Sequence, residues 1–238
     1  MRFLVGGLIV LMCGHAGAAL ARDELSTSAR TAAGDTVPYV LTSTGEAPRY
    51  AVILMPGGGG QMSPRMENGK LVFGFGGNFL IASRGLFATG PFVAASTDVT
   101  TTPDRIMAIV RDLESRYGKL SVYVAGTSKS TEATIALSKP LDGLVAGFIH
   151  ISSVNGISGL DPRNLKSRHL IVSHRMDACR VTSPSAGAGS HRYFGTDYLV
   201  IEGGTSVGDD CEPASHHGFN GVAKETVDKI KAWIMAGK

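Results

Sequence analysis

Six short runs of apolar and often β-branched residues recur along the chain, at 50–55, 92–97, 120–125, 144–149, 170–173 and 198–201. Several are apolar almost without interruption, the pattern of strands buried on both faces of a parallel sheet. The segments between them show helical spacing instead. Pro103 opens one, Ile106, Ile109, Val110 and Leu113 follow at three- and four-residue intervals, and Gly118 closes it. Val222, Val227, Ile230, Trp233 and Ile234 line one face of a last helix. Strand, helix, strand repeated in this way requires right-handed crossovers and predicts an open α/β sheet with helices on both faces. No internal repeat or linker divides the pattern, so one domain over 22–238 is expected.

Charge sets limits on partners. The 238 residues carry 23 Lys and Arg against 20 Asp and Glu, a net charge of +3. That balance gives no basic field for nucleic acid and no acidic tail. The 31 glycines cluster between apolar runs without a fixed period, which excludes a collagen-like repeat.

The N-terminus has the form of a leader. Arg2 precedes a short apolar run, and Ala19-Leu20-Ala21 has the form of a leader-peptidase site. Residues 1–21 are therefore expected to be a signal peptide, which predicts a secreted or periplasmic protein. The apolar run is too short to span a bilayer, which takes about 20 residues, and no later run is longer. Met12 is a poor neighbour for lipid attachment at Cys13. Cleavage would leave Cys179 and Cys211, an even count outside the cytosol, and a disulfide between them is expected. Cys179 follows Asp177 by two residues and Cys211 precedes His217 by six. The bond would thus tie two loops that matter below.

The strongest chemical signal is Val124-Ala125-Gly126-Thr127-Ser128-Lys129-Ser130, an apolar strand that ends in small-x-Ser-x-small and enters the helical run 131–137. A strand turning so tightly into a helix needs small residues on either side of the serine, and the turn leaves the hydroxyl projecting beyond the sheet. Upstream, the strand at 50–55 runs into Pro56-Gly57-Gly58-Gly59-Gly60, whose backbone N–H groups can meet an anion without side-chain obstruction. No Gly-Lys-Ser/Thr follows, so a phosphate loop is not indicated. Downstream, Asp177 lies just past the strand at 170–173. Cys211-Glu212-Pro213-Ala214-Ser215-His216-His217-Gly218-Phe219 fills the gap before the last helix. Adjacent histidines point apart and no carboxylate cluster completes a coordination shell, so no metal is expected. Asp98 precedes the serine and is read as structural.

Together these segments resemble the α/β-hydrolase superfamily, in particular its small, lidless, dienelactone-hydrolase-like branch. The resemblance spans nearly the whole chain after the leader, and its motif-grade parts are the elbow and His-Gly-Phe. It implies a mostly parallel sheet without a large lid and a nucleophile, acid and base in the order Ser128, Asp177, His217. On the resemblance His217 is preferred to His216. Oxyanion donors fall near Gly58 and at the backbone of Lys129. Two departures stand out: Ser130 occupies a position where glycine is commoner, and the loop after Met55 lacks the histidine of the His-Gly-Gly-Gly type. The implied chemistry is cleavage of a small carboxylic ester through an acyl-enzyme, with no cofactor. An acyltransferase or peptidase could use the same triad, and a binding protein could retain the fold without it.

Overall fold

The computed structural model describes residues 23–45 and 47–237. The expected leader at 1–21 lies outside them. The elements in chain order are β1 (Asp23–Arg30), β2 (Thr36–Ser43), β3 (Tyr50–Met55), β4 (Arg65–Glu67), β5 (Lys70–Val72), α1 (Phe79–Phe87), β6 (Phe92–Ser96), α2 (Pro103–Tyr117) and β7 (Ser121–Thr127). They continue with α3 (Thr131–Ser138), β8 (Gly147–Ile151), β9 (Arg168–His174), α4 (Pro184–Phe194), β10 (Asp197–Ile201) and α5 (Ala223–Ala236). Eight strands form one sheet in the order β1-β2-β6-β3-β7-β8-β9-β10, and β4 and β5 form a separate hairpin. From β6 to β10 every pairing is parallel. Only β2 runs antiparallel to its two neighbours.

The period-two alternation of β3 shows how the layers are built. Ala51, Ile53 and Met55 face a core shared with Ile106, Ile109, Leu113, Ala133 and Leu137 of α2 and α3. Val52 and Leu54 face the opposite core with Phe79, Leu80 and Phe87 of α1 and Val227, Ile230 and Ile234 of α5. The strand is therefore covered on both sides, which is why it reads as apolar throughout. Each of the buried Val, Leu, Ile, Met and Phe side chains among them contributes about 1.5–3 kcal/mol by leaving water. Pro103 stands at the first turn of α2, and Gly118, at φ 79°, ends it as the sequence predicts.

One strand is displaced from its expected place. The apolar run at 144–149 predicts a strand beginning at Leu144, yet β8 begins at Gly147 and ends at Ile151. Leu144 is 59% exposed, in a turn that Asp142 fastens by accepting the backbone N–H groups of Lys166 and Ser167 at 2.7 and 2.8 Å. At the other end the strand continues through buried His150, where a polar residue masks it from a hydropathy pattern. Its ring is satisfied in place. Thr134 Oγ1 lies 2.8 Å from Nδ1 and His169 Nδ1 lies 3.1 Å from Nε2. Burial pushes the His150 imidazole well below its usual pKa and holds it neutral.

No helix among the described residues is long and apolar enough to cross a membrane. The loops that follow the carboxyl ends of β3, β7, β8 and β9 gather on one edge of the sheet, the edge where open α/β sheets place their ligand crevices.

Candidate active site

The turn after β7 is as tight as the sequence implies. Ser128 sits at φ 54°, a left-handed conformation that costs a non-glycine residue about 1–3 kcal/mol. A short 3-10 turn over Ser128–Ser130 then feeds α3. Close approach explains the small residues. A Cβ at Gly126 would stand 2.7 Å from the Ser130 carbonyl oxygen, and one at Gly57 would stand 2.6 Å from the Thr127 carbonyl oxygen and 2.9 Å from Ser128 Cβ. Ser130 turns its departure from glycine into a clasp. Its Oγ accepts the Thr127 N–H at 2.8 Å and stands 2.8 Å from the Met55 carbonyl to which it can donate. The elbow is thereby tied to the end of β3, where the glycine loop starts. Thr131 Oγ1 accepts the Val154 N–H at 3.0 Å and stands 2.6 Å from the Ser128 carbonyl, which links the elbow to the loop after β8.

The acid and the histidine come from opposite sides of a covalent bridge. Asp177 is buried just past β9, and its Oδ1 accepts the Cys179 N–H at 2.9 Å. Its Oδ2 lies 3.0 Å from Nδ1 of buried His217. His217 occupies a 3-10 turn whose preceding Ser215 accepts the His217 N–H at 3.1 Å. Its carbonyl accepts the hydroxyl of Ser152 at 2.8 Å. Gly218 has no alternative here, because a Cβ would stand 2.1 Å from the Pro213 carbonyl oxygen. His216 faces elsewhere. Its ring stacks on His174 at 4.5 Å between centroids and 9° between planes. His174 Nε2 in turn lies 2.9 Å from the Gly203 carbonyl oxygen, and burial lowers its pKa.

A cavity of about 200 Å³ is lined by Ser128, Lys129, His217 and Gly58, with Phe75, Phe79 and Pro213 as apolar wall. The structure thus brings Ser128, Gly58, Lys129 and His217 together at one opening, with Asp177 behind His217. Lys129 stands at the second position of the 3-10 turn, where a backbone N–H has no partner within the helix. Its side chain is exposed. Gly58, at φ 61°, is the member of the glycine loop that lines both this cavity and a second one, of about 270 Å³, behind Lys129. Asp98 takes no part. Its Oδ1 accepts the Met62 N–H at 2.8 Å, a structural role as the sequence reading has it.

Cys179 and Cys211 are disulfide-bonded across a separation of 32 residues. The bridge joins the loop of Asp177 to the segment that leads into His217, and Cys211 lines the cavity. Closing a loop of that length removes roughly 3–4 kcal/mol of entropy from the unfolded chain. Replacing both cysteines by serine should therefore lower the melting temperature by roughly 5–15 °C. Assayed well below that temperature, the variant should also lose turnover, because the two loops drift relative to each other. Full retention of turnover would reduce the bridge to a brace for the fold.

Parts of this site carry no motif in the sequence. Thr182, five residues past Asp177, places its Oγ1 3.2 Å from Asp177 Oδ2 and 3.1 Å from His217 Nδ1. Ser152, at φ 41°, and Asn155, which grips the backbone of 180–183, are equally silent in a linear reading.

No protein-family model matches the sequence, and no curated protein matches it either. Among solved structures, dienelactone hydrolase from Anabaena variabilis is similar over 91% of this chain and 98% of its own, with a TM-score of 0.62 at 12% identity. The fold is that of the α/β hydrolases. An α/β serine hydrolase without a lid from Xanthomonas campestris covers 87% of this chain and 95% of its own, with a TM-score of 0.56 at 10% identity. A cold-adapted esterase from an Arctic intertidal metagenomic library covers 89% and 94%, with a TM-score of 0.56 at 15% identity. Identities this low establish the α/β-hydrolase architecture, and the chemistry has to be argued from the site.

Proposed function

We propose that the protein is a serine hydrolase that cleaves small carboxylic esters through an acyl-enzyme. The observation that carries this is the buried Asp177–His217 pair, whose histidine lines the same cavity as Ser128, itself held in a strained turn. With Nδ1–H engaged by Asp177, the His217 ring keeps Nε2 for a proton. Ser128 Oγ attacks the ester carbonyl carbon while its proton passes to His217. Asp177 then stabilises the imidazolium by charge. The N–H groups of Lys129 and near Gly58 receive the negative oxygen, with the N-terminus of the helix behind them. His217 gives the proton to the departing alkoxide, and the alcohol leaves. Water, deprotonated by His217 in turn, attacks the acyl-enzyme and releases the acid and Ser128.

A cavity of about 200 Å³ lies below the range of about 300–1,000 Å³ typical of pockets for drug-sized ligands, which supports a substrate that is small at its reacting end. The leader-like N-terminus and the Cys179–Cys211 pair support action outside the cytosol, as a secreted or periplasmic enzyme.

The direct test is covalent. A fluorophosphonate probe should label the native protein, and peptide mapping should place the adduct on Ser128. A protein that stays unlabelled under conditions that saturate a control hydrolase would leave it a binding protein on a hydrolase fold.

A further inference from the structure

Asp177 and His217 do not form an isolated pair. Thr182 Oγ1, Asp177 Oδ2 and His217 Nδ1 form a closed triangle with sides of 3.2, 3.1 and 3.0 Å, each within hydrogen-bond reach. All three side chains are buried. The Thr182 hydroxyl also lies 3.5 Å from the Cys179 carbonyl oxygen, so Asp177 Oδ2 at 3.2 Å is the nearer of its two acceptors. The carboxylate oxygen can only accept, the imidazole Nδ1 carries a proton, and the hydroxyl has one proton to give and lone pairs to offer. Thr182 therefore donates to Asp177 Oδ2 and shares the Nδ1–H of His217 with that carboxylate.

We propose that Thr182 is a positioning residue for the hydrolysis. Its hydroxyl fixes the rotation of the His217 ring and of the Asp177 carboxylate together, so that His217 meets Ser128 in one orientation. The inference rests on the triad reading above and adds a member to it that the chain order does not disclose. It gains weight from the way the segment is held. Asn155 donates its backbone N–H to the Val181 carbonyl at 2.9 Å and its side-chain amide to the Arg180 carbonyl at 3.1 Å, and its Oδ1 accepts the Ser183 N–H at 2.8 Å. The Thr182 N–H itself reaches the Cys179 carbonyl at 3.0 Å, next to the disulfide. One asparagine, one turn and one covalent bond thus hold Thr182 from both sides. A threonine that merely filled space would not need its hydroxyl aimed between an acid and a base.

The experiment compares Thr182→Val, which keeps the shape and removes the hydroxyl, with Thr182→Ser, which keeps the hydroxyl and removes the methyl. The valine variant should lose about tenfold in kcat with KM unchanged, the rate equivalent of one well-placed hydrogen bond. The serine variant should stay within about threefold of wild type. In the resting protein, the downfield proton resonance of His217 Nδ1–H should move in the valine variant and stay in the serine variant. This second readout needs no turnover. A wild-type protein inert to fluorophosphonate sinks the hydrolase reading, while an unmoved resonance sinks the role of Thr182. Equal losses in both variants, a loss confined to KM, or a valine variant with full kcat would also overturn the role.

Discussion

Replacing Ser128 by alanine should reduce ester hydrolysis by at least about 10³-fold in kcat/KM, the scale on which covalent nucleophiles are missed, and leave the fold standing. The second half of this expectation is structural. Among the described residues no hydrogen bond that holds the fold runs through Ser128 Oγ, whereas the clasp on β3 is made by Ser130. The melting temperature should accordingly shift by less than about 2 °C, since 1 kcal/mol moves a domain of this size by about 2–4 °C. The left-handed backbone at φ 54° supplies an internal control. Alanine keeps the steric strain, but glycine at 128 releases it. Ser128→Gly should be as inactive as Ser128→Ala and melt higher. That pairing of lost activity with gained stability marks a residue held in strain for chemistry. Residual activity within about tenfold of wild type in Ser128→Ala would move the nucleophile elsewhere.

The order of layers and the elbow were legible because each rests on a local rule. A strand covered on both faces has to be apolar at every position, as at residues 50–55. A strand that turns into a helix in three residues has to carry small side chains where Gly126 meets the Ser130 carbonyl. Other parts depend on contacts between distant segments, which leave no local trace. The first two strands, β1 and β2, pair antiparallel at the sheet edge, where exposed polar residues such as Glu24, Ser26 and Thr36 break the apolar pattern. His150 conceals the end of β8 because its partners, Thr134 and His169, lie sixteen and nineteen residues away. Ser130 departs from the glycine that the resemblance favours at the end of the elbow. It bonds the elbow in place, because Met55 on another strand supplies the acceptor. Thr182 belongs to the same class: only the folded chain brings its hydroxyl between Asp177 and His217.

The choice between the two adjacent histidines has an equally large expected effect. Consecutive residues in a 3-10 turn send their side chains in different directions, about a third of a turn apart, so one ring at most can serve both Asp177 and Ser128. His217 is the ring that reaches Asp177 Oδ2, and it lines the cavity beside Ser128. His216 lies flat on His174, which is engaged through Nε2 with the Gly203 carbonyl and through Nδ1 with the Met176 N–H. His217→Ala should therefore cost about 10²–10⁴-fold in kcat, the usual contribution of a positioned general base, with a further part from the charge left on Asp177. That carboxylate would keep Thr182 and the Cys179 N–H as partners, so the variant should remain folded. His216→Ala removes one face of a ring stack, and its kcat should stay within about tenfold of wild type. Steady-state kinetics on both variants, with melting curves to exclude unfolding, decides the matter. If His216→Ala proved the more damaging, the proton acceptor would be His216, and the Asp177–His217 pair would hold the loop without serving the reaction.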